Sequence, residues 1–195
     1  MIYPAPAGES WGEIREKGSR FLAWIGPAAG EHPEDTAKAA LDGLARRYPD
    51  ATHHCWAWRL GSPPRERSSD AGEPSGTAGV PILQVLRGAG LSDVLAVVVR
   101  WFGGTRLGKG GLARAYAAAV REALSGLPVA QRVPTVRIAL QVPYEKVGAV
   151  KRLIHPPEVE LESEQYAETA QLILAVHEER RDSLREALAD LGIVV

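Results

Sequence analysis

The sequence predicts an α+β chain of two domains, and three observations predict it. Between Arg67 and Leu124 lie two Gly-rich loops, each leading into an apolar helix, with a β-branched strand between them. Ser125-Gly126-Leu127-Pro128 then reads as a linker. Beyond it the hydrophobic spacing runs strand, helix, strand, strand, helix, strand, which is the ferredoxin-like βαββαβ order. The expected domains are residues 1–128 and 129–195. With 45% apolar and 24% charged residues, the chain can bury a core in each.

The elements follow in order. Ile14 to Ile25 suggests two short strands around a turn at Lys17-Gly18. Pro33, Glu34 and Asp35 suit a helix start, and Ala37, Ala40, Leu41, Leu44 and Tyr48 fall on one face. His53 to Leu60 reads as a strand, with His54, Trp56 and Trp58 on one side and His53, Cys55 and Ala57 on the other. The first Gly-rich loop runs from Arg67 to Gly79, and a helix from about Pro81 to Ala89. Val94 to Arg100 is an almost continuous β-branched run, as in a strand covered on both faces. The second loop, Trp101 to Gly111, leads to an Ala-rich helix over about Leu112–Leu124. In the second domain the spacing predicts a strand over Val133–Val142, a helix over Tyr144–Ile154 and a hairpin from Val159–Tyr166 and Thr169–His177. A helix over Arg181–Leu191, stopped by Gly192, and a closing strand Ile193-Val194-Val195 complete it.

Composition narrows the function classes. No apolar run near the middle is long enough to span a bilayer, and Met1 to Ser10 lacks the pattern of a secretory signal. A single cysteine, Cys55, excludes an internal disulfide. A cytoplasmic protein without membrane contact is expected. The absence of Asn and the 14 Pro suit a heat-adapted protein, a bias that a GC-rich coding sequence also produces. Net charge is -1, yet Val94 to Arg121 carries Arg100, Arg106, Lys109, Arg114 and Arg121 and no acid. A local basic patch fits that distribution.

The candidate sites centre on the two loops. Gly103 to Lys109 matches the start of a P-loop, but Gly110 stands where that motif needs a hydroxyl for Mg²⁺. What survives is a helix N-terminus whose backbone N–H groups, flanked by Arg106 and Lys109, suit a phosphate; a tight packing turn is the alternative. Asp70 and Glu73, among Ser68, Ser69, Ser75 and Thr77, could serve as acid and base, hold a metal, cap the next helix or pair with Arg67 and Arg100. His53-His54-Cys55 cannot converge on one ion, because strand neighbours point to opposite faces, so no metal is expected. Cys55 beside a histidine could be a nucleophile, but a buried thiol is the commoner case. Trp56, Trp58, Trp101 and Phe102 could stack on bases or fill the core. Glu158, Glu160, Glu162 and Glu164 alternate along a strand and read as a solvated acidic face that would repel phosphates.

Gly18-Ser19-Arg20-Phe21, Ala51-Thr52-His53-His54-Cys55, Ser69-Asp70-Ala71-Gly72-Glu73-Pro74-Ser75-Gly76-Thr77-Ala78-Gly79 and Arg100-Trp101-Phe102-Gly103-Gly104-Thr105-Arg106-Leu107-Gly108-Lys109-Gly110-Gly111-Leu112 together resemble the YigZ/IMPACT family. The resemblance spans nearly all of residues 15–124, in order. It implies a first domain with the β/α superfold of a ribosomal small-subunit protein and of elongation factor G domain IV. It also implies a ferredoxin-like second domain similar to domain V of that factor. Fungal and mammalian members regulate translation initiation through an extra N-terminal domain, for which residues 1–14 leave no room. Fold kinship alone is a weak guide to function.

The expected function is a binding protein rather than an enzyme, contacting structured RNA or the ribosome through the second loop, with no cofactor. Arg106 and Lys109 would neutralise phosphates, supported by Arg100 and Arg114. Gly103, Gly104, Gly108, Gly110 and Gly111 would let the backbone approach. Asp70, Glu73 and Ser75 would order the same cleft. No catalytic residue is assigned. The alternatives are an enzyme for a small phosphorylated or nucleotide ligand with Asp70 or Glu73 as base, and a protein-interaction module docking on the acidic C-terminal sheet.

Overall fold

Lys17 and Gly18, both at positive φ, turn the chain between β2 (Ser10–Glu16) and β3 (Ser19–Pro27) in the computed structural model, which describes residues 2–28 and 32–194. Helix α1 (Pro33–Arg47) follows, with proline in its first turn, Glu34 and Asp35 at its positive end and Arg46 and Arg47 at its negative end. Next come β4 (His53–Leu60), β5 (Arg65–Ser69), α2 (Gly79–Gly88), β6 (Val94–Trp101) and α3 (Gly108–Ser125). Five strands form one antiparallel sheet in the order β2-β3-β6-β4-β5.

β6 is the centre of this sheet, and its alternation sorts the core into two layers. Val94, Ala96 and Val98 face α2 and α3, together with Phe21, Ala23, Ile25, Cys55, Ala57 and the buried Tyr116. Leu95, Val97 and Val99 face the other way, with Leu22, Trp24, Trp58, Leu60 and the Ala37 and Leu44 side of α1. Both faces of the β-branched run are therefore covered, as its sequence predicts. Ser19, His53 and Arg100 lie on the α2/α3 side by the same parity, and Arg100 is the register partner of both His53 and Phe21.

Three strands escape the sequence pattern. β1 (Tyr3–Pro6) holds two prolines and pairs with β7 (Val129–Arg132). That pairing keeps Val129–Arg132 with the first compact unit, Ile2–Arg132, so the break falls four residues beyond the expected one at Pro128. β5 contains no apolar residue and pairs with β4 where a loop is expected from Arg67. Arg59 and Arg87 both pair with Glu66 and hold this edge. The second Gly-rich loop is also shorter than expected, because α3 begins at Gly108 and takes Gly108–Gly111 into its first turn.

The second unit, from Val133, contains β8 (Thr135–Val142), α4 (Tyr144–Lys151), β9 (Val159–Tyr166), β10 (Ala170–His177) and α5 (Arg181–Asp190). Its sheet order is β8-β10-β9, and Val150, Leu184 and Leu188 pack on Ile138, Leu140, Leu172 and Leu174. The expected last strand does not form at Ile193 or Val194, and Val195 lies outside the described residues. Ile193 is buried in the core instead. The glutamates of β9 do not share one face. A bulge opposite Ile173/Leu174 shifts the register, so Glu160 lies beside Ala175 but Glu164 beside the buried Leu172. Glu164 then reaches Lys151 of α4, while Glu162 pairs with Arg137. The expected acidic docking face is thus divided and partly neutralised.

Candidate functional site

The two Gly-rich loops meet at the α2/α3 side of the sheet, where β6 ends. They enclose a cleft of about 330 Å³ lined by Glu73 and Pro74 from the first loop and by Phe102, Arg106, Leu107, Gly108 and Lys109 from the second. Thr52, His53, Arg100 and Leu112 complete its wall. Asp70, Ser75, Gly103, Gly104, Gly110, Gly111 and Arg114 do not line it.

Asp70 and Glu73 divide their roles. The Asp70 carboxylate turns into its own loop and accepts backbone N–H bonds from Gly76 (2.8 Å), Ala78 (2.9 Å) and Gly79 (2.8 Å). It satisfies donors at the start of α2, which no side chain at the helix boundary does. Partial burial alone would raise its pKa, but the three N–H bonds outweigh that and hold it below the ordinary carboxylate value. An acceptor so engaged is a cap, not a base. Asp70→Ala is expected to cost about 1–2 kcal/mol, read from the urea midpoint. A lowered pKa contributes stability above the ordinary value and loses it as pH falls through the lowered one. The gap between wild type and variant therefore narrows only in strong acid.

Glu73 is buried, with 3% of its side chain exposed, and sits at the cleft floor. Its Oε1 accepts from Arg100 Nη1 at 2.5 Å and from the Tyr116 hydroxyl at 2.7 Å. Arg100, also buried, donates from Nη2 to Ser19 Oγ at 3.3 Å and lies between the Phe21 and Phe102 rings at 5.3 and 5.6 Å. It is therefore the floor carboxylate's counter-ion rather than a supporting phosphate ligand. Ser19 Oγ also accepts from Gly103 N at 3.1 Å, tying the second loop to the β2–β3 turn. His53 Nδ1 lies 2.9 Å from the Ala71 carbonyl oxygen, and its Nε2 lies 3.9 Å from Glu73 Oε1.

Cys55 belongs to the foundation of this site. It is fully buried, its Sγ donates to the Asp70 carbonyl oxygen at 2.9 Å and lies 3.3 Å from the Tyr116 hydroxyl. Burial pushes the thiol up to about 12, as for a structural rather than a reactive cysteine. No group of three or more His, Cys, Asp or Glu suited to a metal exists among the described residues. Tyr116, Ser19 and Thr52 were not legible as site residues, since a hydroxyl acts here only through partners distant in sequence. Of the aromatics, Trp58 is buried, Arg20 lies 4.6 Å from the centre of the Trp101 ring, and Phe102 alone lines the cleft, half exposed.

The rim is cationic. Arg106 and Lys109 are exposed, and no ion pair or hydrogen bond engages either among the described residues. Between them α3 begins at Gly108, whose φ of +70° favours glycine and which stands in open space. α3 has neither a capping side chain nor an acid in its first turn, so its first N–H groups stay available. The chemistry offered is a polar floor of fixed acceptors beneath a rim that attracts anions.

The model of the Impact N-terminal domain matches residues 17–124, and that of a domain of unknown function, DUF1949, matches residues 140–192. The Thermus thermophilus protein named IMPACT family member in pol 5′region is 45% identical over 144 residues, 74% of this chain and 76% of its own. Escherichia coli YigZ, also named an IMPACT family member, is 39% identical over 141 residues, covering 71% and 68%. A crystal structure described as that of a hypothetical protein superposes with a TM-score of 0.75 at 30% identity, covering 100% of this chain and 97% of its own. No helix among the described residues is long and apolar enough to cross a membrane. A family model matching more than half of the residues, in the region that builds the cleft, establishes that the chain belongs to the IMPACT family.

Proposed function

We propose that this chain is a non-enzymatic binding protein linked to translation or its regulation, which contacts structured RNA or the ribosome through the cleft between its Gly-rich loops. The observation that carries the reading is the unengaged pair Arg106 and Lys109 flanking the uncapped start of α3. Phe102 to Arg106 forms an exposed segment, which a polyanion can reach more readily than a closed pocket allows. Phe102 offers a half-exposed ring to a base at the same cleft.

The domain reading belongs to the same proposal. In it the first unit has the β/α superfold of elongation factor G domain IV, and the second resembles domain V of that factor. The order β8-β10-β9 with both helices in one core supports a ferredoxin-like domain without its final strand.

Replacing Arg106 and Lys109 together by alanine is expected to weaken binding of a labelled RNA hairpin by about tenfold and to lower the slope of log K against log salt by about 1.5 to 2. Fluorescence anisotropy at several salt concentrations reads both, and unchanged slope in a folded double variant sinks the proposal. The cleft is also of small-ligand size, which favours a phosphorylated metabolite as the second reading. Tight thermal stabilisation by a free nucleotide, with RNA having no effect, would select it.

A further inference from the structure

The floor of the cleft pairs Glu73 with Arg100 beneath a positive rim and leaves one carboxylate oxygen over. Glu73 spends Oε1 on Arg100 and Tyr116, and no described residue donates to Oε2. Oε2 is not sealed away either: among the described residues the buried side-chain atoms without a partner are Arg20 Nε, His54 Nε2 and Arg100 Nε. It therefore opens on the cleft that Glu73 lines.

His53 lies beside it. The Ala71 carbonyl oxygen can only accept, so His53 Nδ1 carries a proton. Its Nε2 is 3.9 Å from Glu73 Oε1, too far for a hydrogen bond between the two. A carboxylate oxygen left without a partner at this wall calls for a donor from outside. A phosphodiester carries no donor, so phosphate belongs at the rim.

We infer that the cleft selects ribose over deoxyribose: Glu73, with His53 beside it, accepts the 2′-hydroxyl of a nucleotide whose phosphate rests on Arg106, Lys109 and the start of α3. The inference rests on the phosphate reading above. The sugar–phosphate backbone of DNA carries acceptors only. That of RNA carries one donor per nucleotide, next to a phosphate. A carboxylate floor under a cationic rim is complementary to the second and not to the first.

The test uses the full chain and three labelled hairpins of one sequence: RNA, DNA and 2′-O-methyl RNA. A hydrogen bond to a charged acceptor predicts that RNA binds at least ~10-fold more tightly than either of the others. Changing the ligand leaves the buried Glu73–Arg100 pair intact, so folding is not at issue. In the protein, Glu73→Gln keeps an oxygen for Arg100 and Tyr116 but places an amide where Oε2 stood, and is expected to abolish most of the RNA preference. Equal affinity for all three hairpins overturns the ribose inference and leaves the phosphate reading standing. RNA and its 2′-O-methyl form binding alike, both above DNA, overturns it too, because duplex shape is then what is read. Failure to bind any of them overturns the phosphate reading beneath it.

Discussion

Glu73→Ala is expected to lower the melting temperature by roughly 10 °C, through a loss of about 3–5 kcal/mol. The carboxylate is the main partner of a guanidinium that is itself only 6% exposed. Without it, Arg100 keeps a single hydroxyl partner, Ser19 Oγ, and its Nε already has none. A buried charge left so poorly paired is what makes the single deletion costly. The Tyr116 hydroxyl loses its acceptor in the same step and keeps only the Cys55 thiol as a hydrogen-bond neighbour. Removing both charges tells the two contributions apart. Glu73→Leu with Arg100→Met leaves no stranded ion, and is expected to recover much of the stability while emptying the cleft of its polar floor. Thermal melts of these two variants beside wild type decide it. A Glu73→Ala protein that melts within 2 °C of wild type would mean the pair is not desolvated as the structure has it.

How far this site was legible in the sequence follows from the kind of signal each residue carries. The β-branched run of β6 announces a covered strand, because its apolar residues leave no face for water. β5 carries no apolar signal at all: Arg65 to Ser69 is a strand because β4 offers it an edge and Glu66 ties it to Arg59 and Arg87. Glycine's poor helix propensity hid the first turn of α3, whose position rests on packing of Leu112, Tyr116 and Ala119 further along. In the cleft, the rim was readable because Arg106 and Lys109 are close in sequence to the glycines that carry them. The floor is readable only in part: the sequence offers Glu73 and Arg100 as candidates for one cleft and as a pair, but not Ser19 or Tyr116. Strand register and helix packing bring these four together, and nothing in local spacing separates Glu73 from Asp70. The fold makes that distinction by turning one carboxylate inward to its loop and the other toward the end of β6.

Gly103→Ala is expected to destabilise the first unit by about 3 kcal/mol or more, well beyond Gly104→Ala at about 1–2 kcal/mol. The two neighbours differ in what surrounds them. A Cβ on Gly103 would stand 1.9 Å from Gly18 C, 2.1 Å from Gly18 O and 2.3 Å from Ser19 N, all of them backbone atoms that cannot rotate away. A Cβ on Gly104 would meet open space, so that substitution carries only the strain of its φ of +88°. The family of contacts at Gly103 also explains why this glycine serves the site without touching a ligand. Its N–H holds Ser19 Oγ, and Ser19 Oγ in turn holds Arg100. Forcing the second loop off the β2–β3 turn therefore loosens the floor of the cleft as well as its rim. The double consequence is measurable: the denaturation midpoint falls, and at temperatures where the variant is still folded its affinity for the RNA hairpin falls too. Gly104→Ala, on the open side of the same loop, should cost less affinity than Gly103→Ala, since it leaves the loop resting on the β2–β3 turn. If Gly103→Ala folds with unchanged stability, the loop does not rest on that turn, and the cleft as described is not the one the protein forms.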